Sequence, residues 1–243
     1  MTHRPHSLMP AAAKAAPRTR QLPLELPSRA GYDIDDFFVS PANERAFAQL
    51  MGPGPWPGAK LVLTGPPGSG KTHLARVWAA RAGAARLTGR DLRRRADVLT
   101  DSAAHRAVLV DDAHRVARHP RAEETLFHLH NMVMAAGGTL LLTAPAPPSR
   151  WGLALPDLAS RMQACAIATL SAPDDALLSA VLVKLFADRQ VAVPPNLIPY
   201  LVTRMERSLA AAEGVVALLD RAAMAQARPI TRALAADVLS RQD

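Results

Sequence analysis

The sequence predicts an α/β domain built on a parallel sheet, followed by a small all-helical domain. Three observations carry that expectation. An apolar run, Leu61-Val62-Leu63, leads straight into the glycine-rich stretch GPPGSGKT at residues 65–72. Short apolar runs then alternate with amphipathic stretches as far as residue 170, the order that gives parallel strands joined by helical crossovers. After Ser171 the apolar spacing is helical only, over residues 173–189, 195–204, 207–225 and 230–241.

At 243 residues the chain is long enough to bury a full core. Its apolar share of 49% and charged share of 21% are ordinary for a soluble globular protein and argue against a fibrous or wholly disordered chain. The net charge of +8 suggests nucleic acid until it is located. Arg4, Lys14, Arg18 and Arg20 supply four of those charges within an acid-free tail, which leaves a mildly basic surface elsewhere. Cys165 is the single cysteine, so no disulfide framework is expected and the compartment is read as reducing. No run approaches the length of a membrane span, and the start lacks the apolar core of a signal peptide. A cytoplasmic protein without a membrane partner is expected.

Residues 1–20 mix Pro, Ala and basic residues without periodicity and read as a disordered basic tail, a composition that also suits an organelle transit peptide. In residues 21–27 (QLPLELP), Leu22, Leu24 and Leu26 alternate, and Pro23 and Pro27 hold their predecessors extended. Such a strip suits a pocket or sheet edge on a partner, or serves as a linker packed on its own domain. The stretch YDIDDFFVSPAN (residues 32–43) gathers scarce aromatics ahead of a helix over residues 44–51, and GPGPWPG (52–58) is a loop. The first strand is residues 60–64, with a helix over 71–82. A short strand near 85–87 follows, then a helical piece over 91–99 in which Arg93, Arg94 and Arg95 form a solvated face. Further strands are expected at 107–110, 139–143 and 167–170. Helices are expected over 121–136 and 155–163.

The loop spells GxxxxGK[ST], which has a physical reason. Gly65, Gly68 and Gly70 reach φ values closed to other residues, so successive backbone N–H groups can turn around an anion. Pro66, Pro67 and Ser69 complete the cradle, Lys71 adds a point charge, and the Thr72 hydroxyl can ligate Mg²⁺. The following helix, which carries His73, directs its positive end at the same anion. ADP or ATP with Mg²⁺ is the implied ligand. Asp111 closes the apolar strand Val108-Leu109-Val110, where a P-loop NTPase places its Mg²⁺-holding acid, and Asp112 stands where an acid would activate water. No other metal site has workable spacing: His128 and His130 diverge on a helix, and His114 and His119 are five apart.

The phosphate loop, the strand ending in acid, the Thr-ending strand, an Arg after a short helix and the helical C-terminal part are similar in order to an AAA+ ATPase. Within that group, over about residues 21–241, the chain resembles the DnaA family, and looks most like its short regulators, the Hda group, which inactivate the initiator. YDIDDFFVSPAN resembles the family's adenine-pocket segment, which implies base contacts from Phe37, Phe38 and Val39. GPPGSGKTHLARV matches its phosphate loop and helix, and LFHLHN (126–131) its helix after the acidic strand. LPDLASR (155–161) matches the segment bearing an arginine finger, which implies that Arg161 acts in trans on a neighbouring subunit's nucleotide. Gln21-Leu22-Pro23-Leu24 looks like a peptide that binds the DNA polymerase sliding clamp, with Leu26 beside it.

The family's pattern breaks at three places. Pro145 follows Thr143-Ala144 where the family has an Asp. Ala210 stands at the sensor 2 arginine, with Arg207 the nearest candidate to replace it. The chain ends at Asp243 with no helix-turn-helix in it, so sequence-specific origin binding is not expected. The resemblance implies a nucleotide-binding regulator that docks on the clamp, meets DNA only through it, and promotes hydrolysis of ATP held by DnaA while turning over little itself. Assembly with copies of itself stays open. A helicase-loader or transposase-helper ATPase that grips single-stranded DNA is the alternative.

Overall fold

The computed structural model describes residues 37–94 and 97–240. The basic tail, the strip 21–27 with its leucines, and the aromatic stretch as far as Asp36 lie outside the described residues, as do residues 95, 96 and 241–243.

Five parallel strands form one sheet in the order β2 (Ala85–Thr88), β3 (Ala107–Asp111), β4 (Thr139–Ala144), β1 (Lys60–Thr64), β5 (Ala166–Thr169). The α/β fold read from the sequence is therefore present. The three central strands, β1, β3 and β4, are almost wholly apolar because both faces are covered, whereas the edge strands β2 and β5 keep exposed positions such as Arg86 and Ile167. With a side-chain period of two, Leu61 and Leu63 face one way and Val62 the other. Leu61, Leu63, Leu109 and Leu141 pack with Leu50 of α1 (Glu44–Met51) and with Leu74 and Trp78 of α2 (Lys71–Ala82). Val62, Val108, Val110, Leu140 and Leu142 pack with Leu126 and Leu129 of α5 (Pro120–Ala135) and with Leu158 and Met162 of α6 (Pro156–Gln163).

The single helix expected over 91–99 is instead two short ones, α3 (Asp91–Arg94) and α4 (Val98–Ser102). Leu92 and Val98 are both buried in the same core. Six residues apart, they would sit roughly 120° apart around one continuous helix.

Beyond β5 come α7 (Asp175–Asp188), α8 (Leu197–Val202), α9 (Leu209–Gln226) and α10 (Arg232–Leu239), which share a separate core around Leu182, Phe186, Leu201, Val216, Leu219 and Leu234. Asp174, Ser208 and Thr231 cap α7, α9 and α10, each accepting the N–H three residues on. No described helix is long and apolar enough to cross a membrane.

Candidate functional site

In open α/β sheets, ligands sit beyond the carboxyl ends of the strands. The phosphate loop lies there, between β1 and α2. Gly65 has φ +153°, and a Cβ on it would meet the Leu170 carbonyl oxygen at 2.6 Å. Gly68 has φ +70°, and a Cβ there would meet Ser208 Cβ at 2.3 Å. The glycines are thus required by conformation and by the close approach of β5's end and of the helical part. Gly70, also left-handed, opens α2, so the helix's free N–H groups face the loop. Lys71 curls back over the loop, its Nζ donating to the carbonyls of Gly65 (2.8 Å) and Pro66 (2.7 Å). Burial holds its pKa below the usual lysine value, against the opposing pull of Asp112 and Asp111. Ser69 Oγ is buried without a hydrogen-bond partner. A glycine cradle, an ammonium and an orphaned hydroxyl at one helix N-terminus fit a polyphosphate.

Asp111 ends β3 beside the loop. Its Oδ1 accepts from Thr72 Oγ1 at 3.2 Å and from Thr143 Oγ1 at the end of β4. Thr143 Oγ1 in turn accepts the Asp112 N–H at 2.9 Å. Thr72 and Asp111 therefore meet, as Mg²⁺ binding through this pair requires. Asp112 adopts φ +54° and starts the turn Ala113–Val116, and its carboxylate pairs with Arg115 Nε at 2.8 Å. In this arrangement one of its oxygens faces arginine. Among the described residues no cluster of three or more His, Cys, Asp or Glu could hold another metal. Cys165 is buried, which pushes its thiol up to about 11.

Phe37 stacks between Phe47 (5.2 Å between ring centroids) and His73 (5.8 Å). Phe37, Phe38, Asn43, Ser69, Gly70 and His73 line a small open cleft, closed from the helical part by Leu177, Val181 and Leu209. Val39 is exposed and does not line it. Buried Asn43 fixes the segment, accepting from Ser40 N at 2.9 Å and donating to the Phe38 carbonyl at 2.9 Å.

The helical part touches the loop directly: Leu209 N donates to the Gly68 carbonyl at 2.8 Å. At the positions where the family pattern fails, the structure places no polar side chain on the loop. Ala210 and Pro145 are exposed. Arg207 is paired instead with Asp175 at 2.7 Å and reaches the Pro173 carbonyl at 3.5 Å.

Arg161 lies elsewhere. It is exposed in the last turn of α6, with its guanidinium 5.2 Å above the Phe127 ring, and its carbonyl accepts from Lys60 Nζ at 2.9 Å. Lys60 is the first residue of β1, whose other end feeds the loop. At about 3.3 Å per residue, the strand separates Lys60 from Gly65 by roughly 16 Å. The loop residues, Thr72, Asp111 and the aromatics are brought together, and Arg161 is not.

Sequence reading missed Asn43, Leu177, Val181 and Leu209, and also Glu123. Only Asn43, which ends the aromatic stretch, carried a local signal. Glu123 is 1% exposed, and its carboxylate accepts from Arg118 N (2.9 Å), Ala154 N (2.9 Å) and Leu155 N (2.8 Å), pinning the approach to α6.

The cradle, the acid beside Thr72 and the apolar cleft define a P-loop nucleotide-binding domain. The AAA domain matches residues 61–194, and the chain belongs to that family, on its DnaA-like side. It is 26% identical over 236 residues to the chromosomal replication initiator protein DnaA of Thermomicrobium roseum, covering 87% of this chain and 50% of that one. It therefore spans about half the length of that relative. Domain III of the Thermotoga maritima replication initiation protein DnaA has the same fold, with a TM-score of 0.75, 19% identity, and coverage of 88% of this chain and 98% of that one. AMPPCP-bound DnaA from Aquifex aeolicus matches with a TM-score of 0.64 and 17% identity over 78% of this chain and 65% of that one.

Proposed function

We propose that the chain is a nucleotide-binding regulator of the Hda type. In this reading it docks on the sliding clamp through Gln21, Leu22, Pro23, Leu24 and Leu26 and supplies Arg161 in trans to the ATP held by DnaA. The observation that carries it is the placement of Arg161: exposed, and at the end of the sheet opposite the chain's own phosphate loop. An arginine there can serve a neighbour's nucleotide and not its own. A planar guanidinium suits the spread charge of a transferring phosphoryl group, and supplied in trans it accelerates hydrolysis by roughly 10³–10⁵.

ADP or ATP with Mg²⁺ is the proposed resident ligand, its charge neutralised by the metal and the loop. Phe37, Phe38 and His73 take the base side, the loop and Lys71 take the phosphates, and Thr72 with Asp111 take the metal. The AMPPCP-bound neighbour supports this by analogy. The nucleotide's role here is to fix the helical part on the loop, with Asp112 paired to Arg115 and Arg207 paired to Asp175.

The test is a reconstituted mixture of DnaA–ATP with clamp loaded on DNA. Arg161→Ala should bind nucleotide and clamp normally and fail to convert DnaA–ATP to DnaA–ADP. Normal conversion by that variant removes the mechanism and leaves at most a clamp-tethered adaptor.

A further inference from the structure

Phe127, His130 and Asn131 of the LFHLHN stretch share one face of α5. Phe127 carries the Arg161 guanidinium. His130, 3% exposed, has its Nε2 3.3 Å from Lys60 Nζ. An ammonium only donates, so Nε2 is the acceptor and the ring is neutral with its proton on Nδ1. That proton faces Asn131 Oδ1 at 3.2 Å. Lys60 directs a second N–H to the Arg161 carbonyl at 2.9 Å. This carbonyl lies in the last turn of α6, where carbonyls lack helical partners, and the thiol of Cys165 reaches it only at 3.6 Å. The Lys60 ammonium thus caps the negative end of the helix that presents Arg161.

We propose that Lys60 is a positioning residue for Arg161, seated by His130 acting as a neutral acceptor. The proposal rests on the trans-arginine reading above and names what holds that arginine in place. With the carbonyl pinned from β1 and the guanidinium laid on Phe127, Arg161 meets its target already ordered. Without Lys60 the end of α6 has to be ordered on docking, which slows the step it serves.

The arrangement also responds to acid. A proton on His130 turns Nε2 into a donor facing an ammonium, and the seat is lost. The charged groups facing the ring are Lys60 from β1 and Arg161 from α6, both cationic. Burial first, then these two cations, holds His130 below the usual imidazole range, against the Asn131 hydrogen bond. The pair is therefore intact at neutral pH and opens as pH falls below that range.

The experiment measures the rate of DnaA–ADP formation on clamp-loaded DNA for wild type, Lys60→Met, Lys60→Arg, His130→Gln and Arg161→Ala, with ADP affinity of each variant checked by titration. Lys60→Met keeps the apolar stem and removes the donor, so the rate should fall roughly three- to tenfold with ADP affinity unchanged. Lys60→Arg, which can donate to both partners, should restore it. The ratio of wild-type to Lys60→Met rates should fall toward one as pH drops below the usual imidazole range, a comparison that cancels DnaA's own pH response. His130→Gln offers an acceptor that does not titrate, so it should keep the neutral-pH rate and lose the acid sensitivity. Wild-type rates from Lys60→Met beside an inactive Arg161→Ala would overturn the positioning role and leave the trans arginine standing, as would an acid response unchanged in His130→Gln. Normal conversion by Arg161→Ala would remove the trans arginine itself, and the positioning role with it.

Discussion

Replacing Glu123 by Gln changes one atom in a buried site, and its cost follows from the geometry. One carboxylate oxygen accepts from Arg118 N and the other from Ala154 N and Leu155 N, with the side chain 1% exposed. Gln has one acceptor oxygen. Turned toward Ala154 and Leu155, it sets its NH₂ against the Arg118 N–H, and turned the other way it opposes two donors. At least one bond to a charged acceptor is lost, at about 1.5–3 kcal/mol. The remaining bonds become neutral ones of roughly half the strength. A loss of about 2–4 kcal/mol is expected, a sizeable part of the usual 5–15 kcal/mol of folding stability. For a chain of this size that lowers Tm by roughly 5–15 °C. Denaturant and thermal unfolding of Glu123→Gln against wild type measure it. Because Ala154 and Leu155 lead into α6, amide exchange should rise there before it rises in β1 or β4. A stability change below about 0.5 kcal/mol would show that the three N–H groups find other acceptors, and would refute the reasoning.

Other outcomes follow from the site. Lys71→Ala removes a charge-assisted phosphate contact of about 1.5–3 kcal/mol, so calorimetric affinity for ADP or ATP should drop roughly ten- to a hundredfold. Isolated protein should turn over ATP slowly, since Arg207 is tied to Asp175 and Ala210 offers no charge; steady turnover abolished by Asp111→Asn would contradict this. Leu22→Ala with Leu24→Ala should abolish clamp binding and leave nucleotide affinity intact, because burying two leucines contributes about 3–6 kcal/mol gross. Cys165, with its thiol raised to about 11, should resist alkylation near pH 8 in the folded protein and react at the ordinary rate once unfolded.

The sheet was legible because its central strands are apolar on both faces and punctuated by Gly65, Asp111 and the turn at Gly137-Gly138. The phosphate loop was legible because its chemistry forces its spelling. The cleft wall was not, since Leu209 reaches the loop from a helix whose own pattern marks only a packing face. Glu123 sits beside Glu124 in a helix and reads as solvated charge, and only the return of residues 154 and 155 to its oxygens reveals a buried acceptor. The partner of Arg207 was not legible either, since Asp175, the acid it pairs with, lies beyond any local window. The burial of both Leu92 and Val98 in one core, from α3 and from α4, is a tertiary outcome that a helical window does not express.

The two ends of the sheet bear on why the departures from the family pattern are compatible with the proposed function. Residues that act on the chain's own nucleotide must stand at the carboxyl ends of the strands, where Lys71, Thr72 and Asp111 meet and where Ala210 and Pro145 replace polar groups. A residue that acts on a neighbour's nucleotide has to be outside that cluster, and Arg161 is set roughly a strand length away by β1. Its support comes from Lys60, Phe127 and His130, none of which lines the loop or the cleft. Losing sensor groups at one end therefore leaves the seat of Arg161 intact at the other. Nucleotide binding at one end of the sheet and an arginine exposed at the other are physically separable in this fold, so the proposed regulator asks of each end only the residues that stand there.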